Sequence, residues 1–106
     1  MEQIRNLLQE NKVEVWVRFR KSGNIKPLIS ISKGVGHGYV LNAPIWLAKR
    51  FSLRQMQGPV IFDSANFWVQ NDNQLSRIID YIFKRFDVRE IRYGKGFFLK
   101  NKISMR

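Results

Sequence analysis

Side chains able to carry reaction chemistry are few in this chain: one histidine, no cysteine and eight Asp or Glu. No nucleophile stands beside a base, and no His, Asp or Glu spacing fits a metal site, so the inventory argues against an enzyme and implies no cofactor. His37 sits between glycines in Gly36-His37-Gly38. With no partner in view, it reads as a loop residue rather than a general base. The run Gly34-Val35-Gly36-His37-Gly38 lacks the spacing and the following Lys-Ser/Thr of a P-loop, and reads as a strand connection. Asp63, Asp72 and Asp87 fall at expected turns or helix ends, where Asp serves turn chemistry. Glu14, flanked on its strand by Trp16 and Arg18, reads as a cross-strand charge partner.

The chemistry that stands out is cationic and aromatic. Nineteen Lys or Arg against eight acids give a formal charge of +11, which points to a polyanionic partner, nucleic acid or an anionic membrane surface being the two common ones. Trp16, Arg18 and Arg20 alternate along one expected strand, and Lys26 and Lys33 lie on or beside the next. A sheet face of this kind can hold a phosphate backbone by charge and stack on exposed bases. Asn66, Trp68 and Gln70 repeat the pattern further on. Between Lys84 and Arg106 eight Lys or Arg stand against two acids, with Arg92, Lys95, Lys100 and Lys102 interleaved with Tyr93, Phe97 and Phe98. Truncation after Leu99, which removes Lys100, Lys102 and Arg106, is expected to weaken the salt dependence of binding.

The elements that must position these residues follow from periodicity. Ile4, Leu7 and Leu8 suggest a short opening helix ending near Asn11. Val13, Val15, Val17 and Phe19 alternate with polar residues or Trp16, the period of a strand with one buried face. A turn at 22–24 and a second strand over 26–33 complete a hairpin, which Tyr39, Val40 and Leu41 extend. Asn42 reads as the N-cap of a short helix, with Pro44 in its first turn. A second hairpin pairs 60–62 with 65–70 across Asp63 and Ser64. Leu75, Ile78, Ile79, Ile82, Phe83 and Phe86 mark the clearest helix, and 88–93 and 96–99 read as extended. The expected fold is α+β, a mixed or antiparallel sheet of two hairpins with helices packed on one face. It forms a single domain over 1–93, followed by a basic tail over 94–106. No apolar stretch approaches the ~20 residues of a membrane span, so no membrane partner is expected.

Over 4–93 the order of elements resembles one half of a LAGLIDADG homing endonuclease or intron maturase. The similar passages are Val13-Glu14-Val15-Trp16-Val17-Arg18-Phe19-Arg20, Pro27-Leu28-Ile29-Ser30-Ile31-Ser32-Lys33, Leu47-Ala48-Lys49-Arg50-Phe51, and Phe67-Trp68-Val69-Gln70-Asn71 running into Leu75-Ser76-Arg77-Ile78-Ile79-Asp80-Tyr81-Ile82-Phe83. The resemblance implies a sheet that forms a saddle on nucleic acid. Where that family has a signature helix of small residues ending in a catalytic acid, this chain has Ile4-Arg5-Asn6-Leu7-Leu8-Gln9-Glu10-Asn11-Lys12. The acid position falls near Asn11 or Lys12, so the resemblance implies binding without metal-dependent cleavage.

The expected function is therefore non-catalytic binding of nucleic acid, structured RNA in preference to DNA, as a ribonucleoprotein or organellar ribosome component or a splicing cofactor. Two alternatives are a dimeric LAGLIDADG-type endonuclease using Glu10 or Glu14 on a metal, and a basic adaptor docking on an acidic protein. A mitochondrial location is implied by the resemblance alone, as no import signal is visible.

Overall fold

The computed structural model describes residues 2–94 and, for 101–103, the backbone. Its order is α1 (Glu2–Leu7), β1 (Lys12–Arg18), β2 (Ile25–Lys33), β3 (Tyr39–Pro44), α2 (Ile45–Arg50), β4 (Arg54–Gln55), β5 (Ser64–Val69), α3 (Asp72–Arg85), β6 (Asp87–Gly94) and β7 (Asn101–Ile103). All strands join one sheet in the order β4-β5-β3-β2-β1-β6-β7. Every pairing is antiparallel. The fold is α+β as expected, with the helices packed against the sheet.

Alternation within strands builds the core. Val13, Val15 and Val17 of β1, Ile29 and Ile31 of β2, Leu41 of β3, Val69 of β5 and Ile91 of β6 are buried. They pack in one cluster with Leu75, Ile78, Ile79 and Ile82 of α3 and Ile4 and Leu8 at the N-terminus. Area removed from water at about 25 cal/mol per Å² makes this layer the main source of stability. Asn71 caps α3, its Oδ1 accepting from the Gln74 amide at 2.9 Å, while Gln74 Oε1 accepts from the Gln70 amide at 2.8 Å. The side chains thereby satisfy donors that a helix start leaves free.

Three elements differ from the sequence reading. Residues 39–44 are a full strand, β3, so Asn42 caps nothing. Its Nδ2 donates instead to Asn66 Oδ1 at 2.9 Å across the β3–β5 pair, and Pro44 stands at the start of α2 without a side-chain cap. The expected 60–70 hairpin is only a tight turn centred on Phe62 and Asp63 and closed by a single bridge, Ile61 to Ser64, and β5 takes β3 and β4 as its partners. The boundary at 93–94 does not coincide with a sheet edge, because β6 runs to Gly94 and β7 pairs with it. The expected extended segment at 96–99 lies outside the described residues.

The antiparallel order gives the sheet two ends. One carries the β1–β2 turn, the start of α2, the 60–64 turn and the end of α3. The other carries α1, the 34–38 loop and the start of α3.

Candidate nucleic-acid interface

The face of the sheet turned away from the helices was the expected binding surface. Its centre is polar rather than basic. Register sets Asn66, Asn42, Ser30, Glu14 and Arg92 side by side across five strands. Ser30, Ser32, Val40, Asn42 and Asn66, with Lys12 and Glu14, line an open concavity of about 540 Å³. On its β1–β6 side Arg92, Glu90 and Glu14 gather around Trp16. Arg92 Cζ lies 3.5 Å from the centroid of the Trp16 ring, and Arg92 Nη2 sits 2.8 Å from Glu90 Oε2. The Trp16 indole donates to Glu14 Oε1 at 3.1 Å. One face of Trp16 is thus covered by a guanidinium and its N–H is bonded, so the ring is held in a cation–π stack rather than presented as a free platform.

The remaining expected residues scatter. Trp68 shares the outer face, opposite Val40 and Arg54. Its ring lies close over Gly34, where an added Cβ would come within 2.8 Å of Cζ3. Gln70 is exposed just past β5. Lys33 follows the parity of the buried Ile29 and Ile31, and its Nζ donates to Gln9 Oε1 at 3.2 Å beside α1, on the helix side. The pairing shift in β1–β2 between Val15 and Trp16 sets Lys26 opposite the buried Val17 instead of Arg18. A one-residue irregularity of this sort moves every later side chain to the other face. Lys102 falls opposite Arg92 by backbone register. Lys95 and Lys100 lie outside the described residues.

Arg18 and Arg20 are brought elsewhere, to the end of the sheet. With Lys84 and Arg85 from the last turn of α3 they line a cleft of about 600 Å³ floored by Phe19 and Phe86, with Asp87 as its acid. This cluster is fixed by the core. The apolar stripe of α3 dictates its axis, and the end of β1 with the turn that follows it brings Arg18 and Arg20 beside its C-terminal end, where the dipole favours cations. The Phe86 ring packs on Trp46 at 6.0 Å, linking the cleft to the start of α2. Further along the helix layer, the Arg50 guanidinium lies 4.7 Å and that of Arg85 5.7 Å from the Tyr81 ring centroid. The sequence reading counts Lys84 and Arg85 with the basic C-terminal segment and not with Arg18 and Arg20. The spacing of Arg18 and Arg20 at the end of β1 was visible, but the helix that completes the cleft comes from 66 residues away by numbering, beyond any local pattern.

At the opposite end, Tyr39 donates to Asp72 Oδ1, and Arg5 Nη1 lies 3.4 Å from Asp72 Oδ2. Burial, then the Asp72 hydrogen bond and charge, push the Tyr39 phenol up to about 12. Among the described residues no group of three or more His, Asp or Glu could hold a metal ion, and no helix is long and apolar enough to cross a membrane. No protein-family model, curated protein or solved structure matches the chain.

Proposed function

We propose that this chain is a non-catalytic nucleic-acid-binding protein that engages structured RNA through the basic end of its sheet. The observation carrying this reading is the cleft in which Arg18, Arg20, Lys84 and Arg85 converge over Phe19 and Phe86. Four cations, from the end of β1, the turn after it and α3, can hold successive phosphates, while the aromatic floor and Trp46 offer apolar surface that a small anion would not need. The +11 charge supplies long-range attraction. The resemblance to a LAGLIDADG half belongs to this proposal. It makes the protein a binder derived from a nucleic-acid-handling fold, in a mitochondrial ribonucleoprotein or as a splicing cofactor. Glu14, a metal-ligand candidate in the endonuclease alternative, is engaged with Trp16, which supports binding over cleavage.

The test is titration of the full chain against an RNA hairpin and the matching DNA duplex across a salt series. The RNA is expected to bind tighter, and each cation removed at Arg18, Arg20 or Lys84 should reduce the slope of log affinity against log salt by about 0.7–0.9. Absence of RNA binding at physiological salt, or unchanged slopes in all three variants, would overturn the proposal.

A further inference from the structure

The end of the sheet that carries the basic cleft also carries most of the exposed large apolar side chains among the described residues. Ile25, Trp46, Val60, Ile61 and Phe62 all lie there, while Val35 lies at the other end. Phe62 is 97% exposed, at the tip of a two-residue turn. Ile61 N donates to Ser64 O at 2.9 Å and Ser64 N to Ile61 O at 3.0 Å, closing the turn from both sides. Its central residues, Phe62 and Asp63, have φ of 50° and 60°. Positive φ at both positions is the signature of a type I′ turn, which Gly, Asn and Asp fill at low cost. Asp63 suits its position, and its carbonyl accepts from the Ile45 amide at 2.9 Å, seating the turn on the start of α2 beside Trp46. Phe62 does not suit its own. It occupies a left-handed conformation that disfavours a bulky side chain, and it buries nothing in return.

An aromatic ring kept in a strained backbone position and aimed at solvent is intelligible if something outside the chain receives it. The surroundings select that partner. Through Ile45, Trp46 and Phe86 the turn is continuous with the cleft of Arg18, Arg20, Lys84 and Arg85. A ligand there must combine phosphates for the cations with a flat apolar face for the ring. An unpaired base of an RNA loop or bulge has both on one nucleotide strand.

We propose that Phe62 is a stacking wedge: the 60–63 turn enters an RNA loop or bulge, and the Phe62 ring stacks on an unpaired base while the cleft grips the adjoining phosphates. This rests on the RNA-binding reading above. The test uses the full chain and an RNA hairpin with 2-aminopurine in its loop. Phe62→Ala should weaken loop binding about 5- to 150-fold, abolish the 2-aminopurine change caused by the parent protein, and leave the salt slope unaltered. Phe62→Trp should retain both signals. Phe62→Gly, which relieves the backbone, should melt at a higher temperature than the parent yet bind as poorly as Phe62→Ala.

Parent-like affinity and fluorescence in Phe62→Ala, with binding still weakened by Arg20→Ala, would overturn the wedge and leave the RNA reading intact. No RNA binding by the parent would overturn both. Vesicles of anionic phospholipid are titrated in parallel. A blue shift of tryptophan emission that Phe62→Ala abolishes, without any 2-aminopurine response to the parent, would make the turn a lipid anchor and overturn the wedge.

Discussion

Replacing Arg92 by Met keeps the aliphatic stem of the side chain and removes the charge that stacks on Trp16 and pairs with Glu90. The guanidinium lies 3.5 Å from the Trp16 centroid in a half-buried setting, between the ~0.5–1 kcal/mol of exposed cation–π pairs and the ~2 kcal/mol of desolvated ones. About 1 kcal/mol is therefore assigned to the stack. The ion pair with Glu90, bonded through both Nε at 3.0 Å and Nη2 at 3.3 Å, adds roughly 0.5–1 kcal/mol after allowance for solvent screening. The expected loss is about 1.5–2 kcal/mol. For a domain of this size that lowers Tm by roughly 6–10 °C. Thermal melts followed by circular dichroism measure it, and a double-mutant cycle with Trp16→Leu should return a coupling of about 1 kcal/mol. RNA affinity should change little, because the guanidinium is already occupied. An unchanged Tm together with a large loss of RNA affinity would refute this reasoning. It would show that Arg92 is free for phosphate and that the open sheet face is the interface.

Other outcomes are expected from the same geometry. The combined Arg20→Ala and Arg85→Ala variant should weaken RNA binding and reduce the salt slope by about 1.4–1.8, read from titrations at several salt concentrations, while the melt stays near the parent's. Because Tyr39 is pushed up to about 12, the fold favours its neutral phenol. Its contribution is whole below the unfolded value near ~10 and is lost as pH rises through about 12, so parent and Tyr39→Phe melts should converge over that alkaline window. At Gly38 an added Cβ would stand 2.8 Å from the Val69 carbonyl, so Gly38→Ala should cost about 1–3 kcal/mol in urea unfolding.

Much of the architecture was legible where one periodicity dominated. The i, i+3, i+4 spacing of Leu75, Ile78, Ile79 and Ile82 gave α3, and the alternation of Val13, Val15 and Val17 gave β1. Both patterns report burial on one face, which is what the fold uses. What escaped depended on partners distant in the chain. Asn42 has the chemistry of a helix cap, yet β5 supplies Asn66 for its amide, so cross-strand bonding prevailed over local capping. The pairing of β1 with β6 has no local signature at all. For the site, the alternation sets Trp16 and Arg18 off the core-facing side of β1, with Arg20 in the turn beyond it, but their common purpose was not readable. The local charge pattern shows neither that Arg92 and Glu14 occupy Trp16, nor that Lys84 and Arg85 close around Arg18. Lys26 illustrates the sharpest limit. A single shift of register sets it opposite Val17, and although Pro27 beside the shift is a residue type that marks such irregularities, its position alone does not say which way the later side chains turn. Lys33 was recoverable, since it continues the alternation of Ile29 and Ile31 toward the helix layer. Residues 60–62 read as a strand leading to a turn at Asp63 and Ser64; the turn centred on Phe62 and Asp63, the exposure of Phe62 and its positive φ are properties of the folded backbone.

Backbone amide chemical shifts, followed by NMR while a structured RNA hairpin is added to the full chain, locate the interface without altering a residue. The largest changes are expected at 18–26, at Trp46, at 60–64 and at 84–87, the four segments that meet at the basic end of the sheet. Changes confined to Ser30, Ser32, Asn42 and Asn66 on the open sheet face, with those four segments silent, would contradict the assignment.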